Sequence, residues 1–244
     1  ILKHIYENTH FEADYDFAIK RKKQVGDQGV VLCYLPKSPF MHLLALEAGV
    51  MAVTMMALMH EEEFQELLDV MKKAFDQAAR IALDSPAEVL MIPENLSSEM
   101  VGPAFFEKYM RGYQEEWVSK IREAGKYSFI HIDGTLRGLL KEEASVGFSV
   151  LEALTPHPVG DLKTEELIDY MGESKSIIWG GIPGVYFTPN TSEEEFERHV
   201  KHVIKIMVKE PRYVLGVADQ VPPDGMESRV RRVAELVDEF GKYE

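Results

Sequence analysis

Six short apolar runs, each followed by residues at helical spacing, constrain the fold of this chain more than any other feature of it. The runs are Val30–Leu35, Glu88–Ile92, Tyr127–Ile132, Phe148–Glu152, Ser176–Trp179 and Tyr213–Ala218. Between them, Phe64, Leu67, Leu68, Met71, Phe75 and Ala78 keep the i, i+3, i+4 rhythm of an amphipathic helix. So do Phe106, Tyr109, Met110, Tyr113, Trp117 and Ile121, after a Pro103 suited to a first helical turn. Helices are also expected over Phe11–Val25, over Phe40–Met59 with a break at Gly49, near Leu136–Ala144, and over Leu162–Met171. A further one runs from Ser192, which forms a capping-box pair with Glu195, to about Lys209, and Val230, Val233, Ala234, Val237 and Phe240 mark the last. Such alternation builds a parallel sheet with right-handed crossovers. The expected fold is therefore a (β/α)8 TIM barrel, which needs eight units where six are visible. Because the chain opens on Ile1, the missing units are expected in an N-terminal part. An open doubly wound sheet is the alternative, although no strand is followed by the G-x-G-x-x-G turn that such sheets often carry.

A length of 244 residues suits one barrel domain spanning residues 1–244. With 41 Asp plus Glu against 27 Lys plus Arg, the net charge of −14 leaves no basic face for nucleic acid. The basic run Lys20–Lys23 reads as the solvated side of a helix. Cys33 is the only cysteine, so no internal disulfide and no thiolate metal cage can form, which fits a reducing, cytoplasmic setting. Inside its apolar strand that thiol is expected to be packed and inert. The longest apolar stretch, Ala48–Met59, is too short to cross a bilayer, and Met51, Met55, Met56 and Met59 are expected as a core-facing stripe.

The strand ends carry the chemistry. Tyr127-Ser-Phe-Ile-His-Ile-Asp-Gly134 delivers an imidazole and a carboxylate on one face of a strand, about 7 Å apart along the backbone. Alone, this segment reads as a core histidine followed by an Asp-Gly turn. The other ends repeat the theme, with Glu94 and Asn95 after the second strand, Glu152 at the fourth, Trp179 at the fifth and Asp219 after the sixth. In a parallel barrel these ends share one face, the one on which barrel enzymes place their active sites.

The ordered motifs carry a resemblance. Pro93-Glu-Asn-Leu-Ser-Ser-Glu-Met100 is followed by a helix rich in Phe and Tyr, and then by His131-Ile-Asp-Gly134. Gly180-Gly-Ile-Pro-Gly184, Thr191-Ser-Glu-Glu-Glu-Phe196 and Val217-Ala-Asp-Gln-Val-Pro-Pro-Asp-Gly225 complete the series. From roughly Val30 to the C-terminus the chain resembles the uroporphyrinogen decarboxylase superfamily. The resemblance implies a (β/α)8 barrel and either of two activities, decarboxylation of uroporphyrinogen in porphyrin biosynthesis or cobamide-dependent methyl transfer. The decarboxylases carry an N-terminal arginine-rich signature, not covered here, and a Gly-His pair where this chain has Ala218-Asp219. The methyltransferases bind zinc through an H-x-C-G motif and a distant Cys; the matching positions here are His131, Asp133 and Asp219, so each thiolate has become a carboxylate.

A His131, Asp133, Asp219 set suits zinc bound through nitrogen and oxygen, or a harder divalent ion. Without a metal, the same carboxylates would hydrogen-bond a substrate. Glu94 is expected as a fourth ligand or general base, Glu152 as an orienting group or substrate contact, and Asn95 and Trp179 as substrate contacts. Methyl transfer would involve a small methylated compound and a corrinoid carried by a partner protein, and open strand edges would favour self-association. A non-catalytic member that binds a tetrapyrrole or a protein partner is the reading from outside enzymology. Among the remaining histidines, His199 and His202 are expected to face solvent, His157 to serve its Pro156-His-Pro158 loop, and His42 and His60 have no partner legible in sequence.

Overall fold

The structure, a computed structural model, describes residues 1–242. Its strands are β1 (Leu32–Tyr34), β2 (Val89–Leu96), β3 (Tyr127–Ile132), β4 (Val150–Leu154), β5 (Ile177–Pro183) and β6 (Tyr213–Ala218). They lie in one six-stranded sheet in the order β1-β2-β3-β4-β5-β6. The pairs β1/β2, β4/β5 and β5/β6 are parallel, with helices between successive strands. A strand order that follows the sequence without reversal is barrel winding, whereas a doubly wound sheet reverses direction at a switch point. The fold is thus of the TIM-barrel type, the described residues holding six β/α units where a closed barrel has eight. Among the described residues no helix is long and apolar enough to cross a membrane.

Packing divides the chain into two compact units, one of Ile1–Glu94 with Ala104–Ile130, the other of Asn95–Pro103 with His131 onward. In the first, the Glu61–Asp84 helix buries Phe64, Leu68, Met71 and Phe75, and Phe40 stacks on Tyr109 at 5.2 Å between ring centroids. Phe64 stands edge-on to both rings, and Trp117 of the Arg111–Glu123 helix is fully buried. Two segments expected as plain helix, Leu43–Glu47 and Phe106–Met110, widen into π turns, each absorbing an extra residue.

The methionine stripe is a correction. In the Gly49–Met59 helix the inward residues are Val53 and Ala57, while Met51, Met55 and Met59 are 78%, 52% and 66% exposed. This helix is apolar nearly all round, so methionine spacing could not single out its buried face. Small residues at i and i+4 are what pack inward. Cys33 is likewise only half-buried, though burial pushes its thiol pKa up and keeps it protonated. The Lys20–Lys23 run is exposed, as its sequence suggested.

In the second unit, Ser192 and Glu195 cap the Glu193–Met207 helix reciprocally, and Phe196, Val200, Ile204, Ile182, Phe187 and Leu236 form one core. The last helix, Glu227–Phe240, is turned from the face its valines mark. Val230, Val237 and Phe240 lie outward, whereas Leu236 and Arg229 are buried. The turn places the Arg229 guanidinium where it donates to the carbonyls of Tyr186, Thr188 and Thr191. His199 does not face solvent either. Its ring stacks on Tyr186 at 4.1 Å and its Nε2 lies 2.9 Å from the Gly181 carbonyl, while burial lowers its pKa. His202, by contrast, is exposed and pairs with Glu165.

Candidate metal centre

The centre is built on the end of β3. His131 is that strand's penultimate residue, and the N–H of Asp133 donates to the Leu96 carbonyl at 3.2 Å. Gly134, at φ +67°, then turns the chain in a conformation that side-chain-bearing residues rarely adopt. The turn is fastened from two sides. Ser97 and Ser98 place their hydroxyls 2.9 and 3.0 Å from the Thr135 hydroxyl, and the Asp161 carboxylate accepts from the N–H groups of Leu136 and Arg137 at 2.7 and 3.1 Å. The Ser-Ser motif after β2 is therefore a clamp on the His-Ile-Asp-Gly turn. Asp219 follows β6 at φ +71°, a region that Asp tolerates better than most residues. Beside it the loop after β5 comes so close that a Cβ on Gly184 would sit 2.6 Å from the Gln220 carbonyl oxygen.

His131 is held at Nδ1 and faces two further carboxylates with Nε2. Nδ1 lies 2.5 Å from Glu152 Oε2, and Nε2 faces Asp219 Oδ1 at 3.9 Å and Asp133 Oδ2 at 4.0 Å. One ligand atom from each of His131, Asp133 and Asp219 lies within 4.8 Å of the others. Ligands about 2.0–2.2 Å from a shared ion stand roughly 3–3.5 Å apart, so small side-chain rotations would close the set. Asp219, the most exposed of the three, has room for such a rotation. The electrostatics favour a cation. Burial lowers the imidazole pKa, but the Glu152 hydrogen bond and the charges of Glu152, Asp133 and Asp219 outweigh it, and the net shift is upward. Asp133 is held above the usual aspartate value by burial, with the Asp219 and Glu152 charges adding to the effect against the opposing pull of His131.

Asp133 and Asp219 form part of the wall of an open cleft of about 420 Å³. Val159, Val185, Pro222 and Pro223 supply its apolar side, and Thr155, Thr188 and Gln220 its other polar groups.

The other residues singled out in sequence lie differently. Glu94 is fully buried in the first unit, its oxygens accepting from the N–H of Ser38 at 3.1 and 3.3 Å and from its hydroxyl at 3.2 Å. Burial pushes its pKa up to about 7 despite those hydrogen bonds. Asn95 is exposed, with φ +53°. Trp179 is not at a strand end, because β5 continues through Gly180 and Gly181 to Pro183. Its indole occupies space left by Gly216, where a Cβ would meet Nε1 at 2.5 Å. Asp161 and Arg229 escaped the sequence reading, since both act on backbone groups that no motif announces.

The family model described as uroporphyrinogen decarboxylase (URO-D) matches residues 18–240. The chain belongs to the uroporphyrinogen decarboxylase family. In this URO-D chain, motifs from Pro93 to Gly225 fall inside the match. Among solved structures, a methyltransferase from Methanosarcina mazei superposes with a TM-score of 0.70 at 17% identity, over 91% of this chain and 62% of that one. That likeness concerns the fold, and the URO-D chain spans 62% of the length of the methyltransferase it matches. A protein from Streptomyces avermitilis ma-4680, described as a candidate orotidine 5'-phosphate decarboxylase, aligns at 13% identity over 86% of this chain and 72% of its own. Its TM-score of 0.37 is too low to support an argument. A search of curated proteins found no match.

Proposed function

We propose that this URO-D family member is a methyltransferase that uses a divalent metal held by His131, Asp133 and Asp219 to move a methyl group between a small methylated compound and a corrinoid on a partner protein. The observation that carries this reading is the orientation of His131. A carboxylate on Nδ1 selects the tautomer whose Nε2 lone pair points at two further carboxylates, the arrangement by which proteins prepare a histidine to bind metal.

A metal bound there supplies Lewis acidity toward an oxygen or nitrogen of the substrate. Two carboxylates in place of thiolates, beside the shared imidazole, favour a harder ion, and hence a methyl group on oxygen or nitrogen rather than thiol activation. The chain's own residues do the rest. Glu152 keeps the proton on Nδ1 of His131, Asp133 and Asp219 present their oxygens at the cleft wall, and Val159 and Val185 give one side of it an apolar surface. The Ser97, Ser98 and Asp161 clamp holds Asp133 in register.

The test is methyl transfer from methyl ethers and methylamines to reduced cobamide, with and without chelator, in the full-length protein and in His131→Ala. Activity lost with chelator and in the variant supports the proposal. Chelator-insensitive turnover of uroporphyrinogen would replace it with decarboxylation, the activity that gives the family its name.

A further inference from the structure

The cleft beside the proposed metal site is one-signed. Among the described residues its charged side chains are Asp133 and Asp219, and no Lys or Arg lines it. Nearby Arg137 is engaged elsewhere, with Glu166, the Tyr170 hydroxyl and the Asp161 carbonyl. Counting Glu152 behind His131, three carboxylates meet at the site, so a bound divalent ion still leaves one formal negative charge when the imidazole is neutral. At about 420 Å³ the cleft is near the small end of ligand pockets. Its wall pairs a branched apolar surface, Val159, Val185, Pro222 and Pro223, with the uncharged polar groups of Thr155, Thr188 and Gln220.

We infer that this cleft selects a small, non-anionic methyl compound, uncharged or cationic, and rejects substrates that carry carboxylate, sulfonate or phosphate groups. The inference rests on the metal-site reading and narrows its substrate class. An anion entering here would leave water for a field of its own sign, with no guanidinium or ammonium to receive it. A methyl-rich body fits against the valines and prolines, and its oxygen or nitrogen faces the ligand set. Selection therefore lies in the cleft wall as well as in the metal.

Three probes of nearly one shape separate the possibilities: choline, 3,3-dimethylbutan-1-ol and 3,3-dimethylbutane-1-sulfonate. Each is titrated calorimetrically into cobalt-loaded protein whose metal content is followed by visible absorption. The alcohol and choline are expected to bind at least tenfold more tightly than the sulfonate. Val185→Lys, on a partly exposed cleft residue outside the ligand set, is expected to raise sulfonate affinity at least fivefold at unchanged cobalt stoichiometry. Sulfonate binding as tight as the alcohol's, or no binding of any probe, with cobalt bound overturns the inference and leaves the metal reading standing. Failure to bind cobalt overturns the metal reading, and the same titrations on metal-free protein still decide the charge preference.

Discussion

The imidazole of His131 and the carboxylate of Glu152 meet at 2.5 Å between Nδ1 and Oε2, which turns Nε2 toward Asp133 and Asp219. Removing the orienting charge while keeping the shape should loosen the ligand without unfolding the strand. For Glu152→Gln, cobalt or zinc affinity by calorimetry is expected to fall about 10–100-fold. His131→Ala should abolish specific binding altogether. Unchanged affinity in Glu152→Gln would mean that Glu152 does not act through the metal ligand.

Ligand chemistry predicts metal preference. With one nitrogen and two oxygens, the ratio of manganese to cadmium affinity should be far higher than in a thiolate site. The double variant Asp133→Cys with Asp219→Cys is expected to reverse that preference by at least about a hundredfold, and cobalt bound to it should show intense sulfur-to-metal charge-transfer absorption. Competition titrations read both effects.

Much of this architecture was legible because apolar β-runs and helical stripes repeat in strict alternation; that alternation marked the strand ends, and the family resemblance singled out His131, Asp133 and Asp219 among them. What escaped has physical reasons. Gly180 and Gly181 resemble a loop in sequence, so β5 was expected to stop at Trp179, yet glycine is what the close approach of the β4 chain requires, a Cβ on Gly180 lying 2.5 Å from the Leu154 carbonyl oxygen. Arg229 and Asp161 bind backbone carbonyls and N–H groups, and a partner without a side chain leaves no trace in sequence. His199 lies off the buried stripe of its helix, and the approach of Tyr186 and Gly181 removes it from water.

The Gly49–Met59 helix yields a stability contrast between neighbours. Met55→Gln, on the exposed side, should change unfolding free energy by no more than about 0.5 kcal/mol. Val53→Asn places an amide at a site that is 1% exposed and should cost at least about 2 kcal/mol. Equal effects in urea unfolding would show that the methionine face is covered in solution.

Glu94 gives the clearest pH prediction. Its carboxyl group is wholly buried, and burial raises its pKa from 4.5 to about 7 against the opposing hydrogen bonds from Ser38. Between those values the unfolded chain has released the proton while the folded chain keeps it, so stability falls as pH rises. The contribution is fully present below the unfolded value and lost as pH passes through the folded one. Holding the acid at about 7 rather than 4.5 corresponds to about 3 kcal/mol. Glu94→Gln replaces the protonated acid by an uncharged group of the same shape and cannot ionise. The variant and the parent should therefore be similarly stable near pH 4.5, with the variant more stable by about 3 kcal/mol at pH 8. Urea midpoints at the two pH values decide it, and an equal gap at both would mean that Glu94 ionises in the folded protein as freely as in the unfolded one.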